Sequence, residues 1–177
     1  MAGRLQDKVA VVTGGASGIG EGMVRRFCSE GASVLLADID EPNGAAIAAE
    51  YGAEFIMLDV SEPDSWQQLQ GTISDKYGRL DTLVNNAGIV SSLDITAVTL
   101  EAWQRLMSIN LTGVMLGCQM AIALMRENPG GVGGSIINTA SSTSFLAIPD
   151  VAYTTSKAGV VGLSLIHISE PTRQATI

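Results

Sequence analysis

The chain has 177 residues, enough for one domain with a substantial hydrophobic core. Hydrophobic residues make up 46% of the sequence and charged residues only 16%, a composition that excludes a disordered chain. The formal net charge of −8, without any run of Lys or Arg, lacks the electrostatic footprint of a nucleic-acid-binding protein.

Short β-branched segments alternate with longer helical patterns along the whole chain. Strands are predicted at 9–13, 33–37, 54–59, 82–85 and 135–139. Helices are predicted from the glycine-rich turn to about residue 29, at 41–51, 64–77 and 100–126, and from residue 153 onward. This alternation is typical of parallel strands joined by crossover helices, and strands that are apolar on both faces indicate a covered sheet. We therefore predict one doubly wound α/β domain with three layers, α/β/α.

Neither a membrane segment nor a disulfide framework is predicted. The longest apolar stretch, 111–125, is shorter than the about 20 residues that span a bilayer. Residues 1–8 lack the order of a secretory signal, so export is not predicted. Cys28 and Cys118 are isolated in the sequence, fit no metal site, and are interpreted as core thiols.

A glycine-rich turn follows the first strand and leads into a helix. Its glycines are Gly14, Gly18 and Gly20, with Ser17 and Ile19 between them. Backbone N–H groups in such a turn can approach a pyrophosphate closely, and the helix N-terminus favours negative charge. The spacing differs from the usual G-x-G-x-x-G, so the turn alone is weak evidence for a dinucleotide site.

The position of Asp38 strengthens the prediction of a dinucleotide site. It ends the second strand 18 residues after Gly20, where a carboxylate can accept hydrogen bonds from ribose hydroxyls. The same carboxylate repels a 2′-phosphate, and no Arg or Lys between residues 34 and 51 neutralises that phosphate. NAD is therefore the expected cofactor, rather than NADP.

Three motifs in this order resemble the classical short-chain dehydrogenases/reductases. They are Thr13-Gly14-x-x-x-Gly18-x-Gly20, Asn85-Asn86-Ala87-Gly88, and Tyr153-Thr154-Thr155-Ser156-Lys157. The resemblance spans residues 5 to 162. It implies a Rossmann-like domain that uses a nicotinamide cofactor to oxidise alcohols or reduce ketones.

The resemblance also assigns further residues to the site. Asp59 and Val60 are similar to the family's adenine-contacting pair. Asn86, Ala87 and Gly88 are similar to the turn that steadies the central sheet and lines the cofactor. Asn110 is similar to the helix asparagine that holds a water in the family's proton relay.

Tyr153 and Lys157 suit the acid-base chemistry of carbonyl reduction. Hydride transfer to a carbonyl leaves an alkoxide that must receive a proton from a positioned acid. If Tyr153 opens a helix, Lys157 lies on the same face, and its ammonium lowers the phenol pKa from about 10 toward neutrality. Lys157 can also hydrogen-bond the nicotinamide ribose. Both residues are therefore predicted to bind the cofactor as well as to act in catalysis.

A serine that polarises the substrate carbonyl is expected after the fifth strand, where the sequence offers two candidates. Counting from Asn138 in the family's pattern gives Ser141, twelve residues before Tyr153. The family spacing is more commonly thirteen, which here falls on Ala140. A loop shortened by one residue before Pro149 explains the difference, so Ser141 is predicted and Ser142 is the alternative.

Family members usually run to about 250 residues, so the resemblance implies that the last strands and the substrate loop are absent here. We expect residues 1–162 to form an incomplete dinucleotide-binding domain and residues 163–177 to be a non-native read-through tail. The tail matches the translation of a transposon-end adapter, and Pro171 in it cannot continue a helix. Weak or no turnover is expected of the chain as it stands.

The alternative interpretations are a fragment that binds the dinucleotide without turnover, and a structural or regulatory protein that keeps only the fold.

The apolar residues Phe145, Leu146 and Ile148 suggest a hydrophobic substrate, such as a steroid, a cyclic alcohol or an aliphatic ketone, but they can equally be core. The resemblance implies that the parent protein is a cytoplasmic homo-oligomer.

Overall fold

The structure, a computed structural model, describes residues 3–146 and 148–169 of the chain. Within these ranges five strands form one parallel sheet in the order β3-β2-β1-β4-β5. The strands are β1 (Val9–Thr13), β2 (Ser33–Asp38), β3 (Glu54–Met57), β4 (Thr82–Asn85) and β5 (Ser135–Asn138). The switch in strand order lies between β1 and β4, which places a crevice at the carboxyl ends of these strands.

Helices connect the strands and cover the sheet. They are α1 (Gly18–Ser29), α2 (Glu41–Tyr51), α3 (Pro63–Lys76), α4 (Leu100–Met107), α5 (Gly113–Arg126) and α6 (Val151–Ser169). A π-helical segment, Ser108–Thr112, joins α4 to α5. Short 3₁₀ turns occur at Pro129–Gly131 and Ser142–Ser144.

The sheet is buried on both faces, as its apolar strands predict. All five residues of β1 are buried, and side chains from its two faces enter two separate clusters. Val11, Leu35 and Leu83 pack on one face with α3 and α5, whereas Val12, Leu36 and Val84 pack on the other with α1 and α2. The prediction of a doubly wound, three-layer α/β fold is confirmed.

The element boundaries agree with the sequence prediction to within two residues, and two differences have a physical cause. β3 ends at Met57 rather than Asp59, because the Asp59 carboxylate accepts hydrogen bonds from the Ser61 N–H and hydroxyl in a tight turn. α6 begins at Val151 rather than Tyr153, because Asp150 caps the helix by accepting a hydrogen bond from the Tyr153 N–H.

The helix expected at 100–126 is continuous but changes winding at the π-helical segment. At 27 residues it is the single helix, among those in the described ranges, that is long and apolar enough to cross a membrane. Such helices also occur in the cores of water-soluble domains, and here Val114, Cys118 and Ala121 are buried in the cluster shared with the sheet.

β5 forms one edge of the described sheet, and Ile137 on this strand is 43% exposed. α6 runs through the boundary expected at residue 162 and reaches Ser169. Residues 170–177 of the expected tail, including Pro171, lie outside the described residues.

Candidate active site

The glycine-rich turn has the backbone that a phosphate-binding turn requires. Gly14 and Gly18 have φ of 65° and 56°, a region that L side chains rarely adopt. Nothing lies within 4 Å of the position that a Cβ of Gly18 would take, so its backbone is open to a ligand. A Cβ on Gly20, by contrast, would lie 2.0 Å from the Gly14 carbonyl oxygen, so the turn packs tightly beneath that surface.

The turn is fixed to the end of β4 through Thr13 and Asn86. The Thr13 hydroxyl accepts hydrogen bonds from the N–H groups of Asn86 and Ala87, at 2.9 and 3.0 Å. The Asn86 side-chain amide in turn donates to the carbonyl oxygens of Thr13 and Gly14. The first and second motifs of the sequence therefore form one hydrogen-bonded unit.

The second strand ends at a carboxylate on this edge of the sheet. Asp38 accepts hydrogen bonds from the N–H of Ala16 at 2.9 Å and from that of Asp40 at 3.1 Å. These bonds hold the carboxylate beside the glycine-rich turn and leave lone pairs on both oxygens for ribose hydroxyls. The site therefore has the acceptor that an adenosine ribose requires.

These elements enclose a cleft of about 530 Å³. Ten of the predicted cofactor-binding residues line it: Gly14, Ser17, Gly18, Ile19, Asp38, Asp59, Val60, Asn86, Ala87 and Gly88. Gly20 is buried behind this surface, and Tyr153 and Lys157 lie beyond the Gly88 end. A positive-φ glycine turn and a ribose acceptor that line one cleft together fit a dinucleotide.

Tyr153 and Lys157 lie close together on the first turns of α6. The Lys157 Nζ is 5.8 Å from the centre of the Tyr153 ring and donates a 2.7 Å hydrogen bond to the Thr139 carbonyl oxygen. Lys157 is only 5% exposed, and this burial lowers the pKa of its ammonium. A partly desolvated ammonium beside a phenol is an arrangement that suits proton transfer.

At Gly88 the cleft lies close to Lys157 and Asn110. A Cβ at Gly88 would lie 3.2 Å from the Asn110 Oδ1 and 3.7 Å from the Lys157 Nζ. The absence of a side chain here therefore lets both polar groups approach the end of the dinucleotide cleft.

Asn110 is fully buried within the π-helical segment. Its amide accepts a hydrogen bond from the Ile89 N–H and donates to the Ile89 carbonyl oxygen, both at 2.8 Å. It also donates to the Ser156 hydroxyl, which donates to the Tyr153 carbonyl oxygen. The side chain thus connects the β4 loop to the helix of Tyr153, and the water-holding role of Asn110 stays a prediction.

Both candidate serines follow β5, but their hydroxyls differ. The Ser141 hydroxyl accepts a 3.3 Å hydrogen bond from the Thr143 N–H and caps the 3₁₀ turn. Its own proton has no acceptor among the described residues, so it remains able to donate. Ser142 is the more exposed of the two.

Two residues of this region were missed by the sequence analysis, Asp150 and Arg105. Asp150 is 5% exposed and accepts hydrogen bonds from the N–H groups of Ser91 and Ser92, the Ser91 hydroxyl and the Tyr153 N–H. It joins the loop after β4 to the start of the helix that carries Tyr153. An N-cap signal before Tyr153 could have revealed the helix contact, but not the loop contact.

We expect Asp150→Ala to destabilise the fold by about 2–4 kcal/mol. The change removes the helix cap and leaves the N–H groups of Ser91 and Ser92 without their acceptor. Denaturant unfolding at neutral pH measures the loss. Asp94→Ala is the control, because exposed Asp94 bonds only to its neighbours Thr96 and Ala97. An equal loss in both variants would contradict the expectation.

The stabilisation that Asp150 contributes to the fold should depend on pH. Burial alone raises the pKa of Asp150, but the hydrogen bonds from Ser91, Ser92 and Tyr153 outweigh it and hold the pKa below its ordinary value. The stabilisation is therefore complete above the pKa of an unfolded aspartate, about 3.9, and is lost as pH falls through the lower folded value. The stability difference between the wild type and Asp150→Ala should shrink below about pH 4.

Comparison with known proteins agrees with this geometry. Residues 8–172 match the family model described as short chain dehydrogenase. The chain is 45% identical over 167 residues to a 3-beta-hydroxysteroid dehydrogenase of Comamonas testosteroni, with 93% of this chain and 64% of that protein covered. It is 38% identical over 165 residues to an NADP-dependent (R)-specific alcohol dehydrogenase of Lentilactobacillus kefiri, with 90% and 65% covered.

A solved structure of a short chain dehydrogenase from Mycobacterium smegmatis superposes with a TM-score of 0.88 at 32% identity. The alignment covers 95% of this chain and 74% of that one. Relative to the two curated proteins, the chain spans just under two thirds of their length.

Proposed function

The chain belongs to the short-chain dehydrogenase family, and on that premise we propose that it is the dinucleotide-binding and catalytic part of an NAD-dependent alcohol dehydrogenase or ketone reductase. One observation supports this most: a Cβ on Gly88, which lines the cleft, would lie only 3.7 Å from the Lys157 Nζ. A cofactor bound along this part of the cleft would therefore come close to the acid-base pair.

In this proposal each residue has a defined task. Bound nicotinamide supplies or accepts the hydride. The Tyr153 hydroxyl donates a proton to the oxygen of a reduced carbonyl, or removes it from an alcohol. The Lys157 ammonium, 5.8 Å from the phenol ring, stabilises the phenolate, and the free proton of the Ser141 hydroxyl polarises the substrate oxygen.

We further propose that NAD is preferred over NADP. The Asp38 carboxylate lies where the adenosine ribose binds in dinucleotide folds, and the neighbouring residue Ile39 offers no positive charge. The relative from Lentilactobacillus kefiri is NADP-dependent by its name, so membership of the family does not decide the cofactor.

We expect Asp38→Asn to lower the preference for NADH over NADPH at least about fivefold. A carboxylate within about 4 Å of a phosphate repels it by roughly 1–4 kcal/mol, and the amide removes this charge. Equilibrium titration with both cofactors measures the ratio of dissociation constants. Asp64→Asn, at an exposed position in the first turn of α3, is the control for net charge. An unchanged ratio in Asp38→Asn would contradict the proposal.

The substrate is proposed to be a hydrophobic alcohol or ketone, such as a steroid or cyclic alcohol. Asp150, which accepts a hydrogen bond from the Tyr153 N–H, also accepts one from the Ser91 N–H and so joins residues 90–95 to the segment before α6. Both expose large apolar side chains, namely Val90, Ile95, Phe145, Leu146 and Ile148. Exposed apolar groups beside a catalytic helix favour binding of an apolar molecule.

The direct test is NADH formation with a panel of steroid, cyclic and aliphatic alcohols, followed by absorbance. Turnover of at least one alcohol with NAD supports the proposal. Tight NADH binding without turnover of any alcohol would instead support the second candidate function, a fragment that only binds the dinucleotide.

Homo-oligomer formation and a cytoplasmic location also remain proposals, and they rest on the family. A homo-oligomer would be detected by size-exclusion chromatography with light scattering, under conditions in which the chain stays folded.

A further inference from the structure

Arg105 is the one basic side chain in the described lining of the cleft, which otherwise presents the carboxylates of Asp38 and Asp59. Arg105 is exposed, and no described carboxylate lies within 4 Å of its guanidinium. None of the roles derived above uses it. A cation that is free of intramolecular ion pairs and faces a ligand cleft is available to contact the ligand.

The helix geometry places Arg105 on the side of the cleft that Val60 lines. Gly113 packs against Val60, since a Cβ on Gly113 would lie 2.8 Å from the Val60 carbonyl oxygen. Ile109 is four residues before Gly113, and Arg105 is four before Ile109. Ile109 and Arg105 both line the cleft.

The π-helical segment improves the alignment of these three residues. In an uninterrupted α-helix, residues eight apart drift by about 80° around the axis. The wider π turn over Ser108–Thr112 takes up more residues per turn and removes much of this drift. Arg105 therefore lies on the same face as Ile109 and Gly113, and farther along the cleft from Val60 than either.

The apolar wall of the cleft that Arg105 shares is suited to a flat base. Leu58 and Val60 are buried apolar residues at the end of β3, and Ile109 faces the same cleft from the helix. The hydrogen bonds that the described residues donate to the Asp59 carboxylate both go to Oδ1, from Ser61, so Oδ2 can accept a hydrogen bond from an amino group. Apolar walls with an acceptor at the edge fit an aminopurine better than a phosphate.

We propose that the planar guanidinium of Arg105 stacks on the adenine of the bound dinucleotide and so adds affinity for the adenosine half. The inference rests on the proposed function and names a further binding residue of the same site. Arginine stacks readily on aromatic faces, and this contact strengthens where a cleft excludes water. Pairing with the diphosphate is disfavoured, because the diphosphate is assigned to the glycine-rich turn and the N-terminus of α1.

The test compares dissociation constants of NADH and ADP-ribose for the 177-residue chain and three variants, measured by isothermal titration calorimetry. Arg105→Ala should weaken both ligands about five- to twentyfold. Arg105→Lys keeps the positive charge but lacks the planar guanidinium, so it should recover only part of this loss of affinity. Arg126→Ala, at the exposed far end of α5, changes the net charge equally and should bind like the wild type.

Several results would overturn the inference. One is Arg105→Ala binding that equals wild-type binding. Another is a pair of results: Arg105→Lys binds both ligands like the wild type, and the weaker binding of Arg105→Ala disappears in 0.5 M salt, where the screening length is about 4–5 Å. Together these results would show attraction to a phosphate instead of stacking. An equal loss in Arg126→Ala would show a general charge effect. If the wild type bound neither NADH nor ADP-ribose, the proposed function itself would fail, and the two failures are thereby distinguishable.

Discussion

Tyr153→Phe should lower alcohol oxidation at least about 10³-fold while leaving NADH affinity within about twofold of the wild type. The variant removes only the hydroxyl that exchanges the proton, and it keeps the ring beside Lys157. No described group hydrogen-bonds the Tyr153 hydroxyl, so folding should lose nothing measurable. Single-turnover NADH formation at high protein concentration measures the loss even where steady turnover is weak.

Tyr51→Phe is the matched control for this prediction, since Tyr51 ends α2 and is absent from the lining of the cleft. It should oxidise alcohol like the wild type. If Tyr153→Phe retained more than about a tenth of the rate, another group would have to be the acid-base residue.

Gly20→Ala should abolish dinucleotide binding, raising the dissociation constant of NADH at least about 100-fold. The new Cβ would lie 2.0 Å from the Gly14 carbonyl oxygen and 2.8 Å from the Asn86 Nδ2, so the turn must move away from β4. Backbone atoms cannot yield as a flexible side chain can, and a shift of the turn disrupts its N–H geometry. Titration with NADH, beside a circular dichroism spectrum, separates lost binding from lost fold.

Gly22→Ala is the control on the same helix. Nothing lies within 4 Å of the Cβ that it introduces, and alanine favours a helix interior by about 1 kcal/mol. This variant should be as stable as the wild type or more so, and should bind NADH equally. Equal loss of binding in both glycine variants would contradict the steric account.

The fold and the outline of the site follow from local sequence patterns, because those patterns carry the responsible interactions. A strand followed by a glycine-rich turn and a helix predicts the phosphate site, and the structure gives Gly14 and Gly18 the positive φ that this turn needs. Family membership is confirmed by the match over residues 8–172. The predicted roles of the site residues stay predictions that the variants above address.

What the sequence does not reveal depends on contacts between distant segments. Asp150 bonds to Ser91 and Ser92, about sixty positions earlier, and no local pattern indicates that pairing. The π-helical segment is likewise not indicated by the sequence pattern, which predicts one continuous helix over 100–126. Without that segment, the alignment of Arg105 with the cleft could not be inferred.

The most direct test of the account is equilibrium binding of NADH and NADPH to the 177-residue chain, followed by fluorescence, because it requires no turnover. We expect saturable NADH binding, at least about fivefold tighter than NADPH binding, because Asp38 repels a 2′-phosphate. Failure of a folded chain to bind either dinucleotide would contradict the assignment of the cleft as a cofactor site.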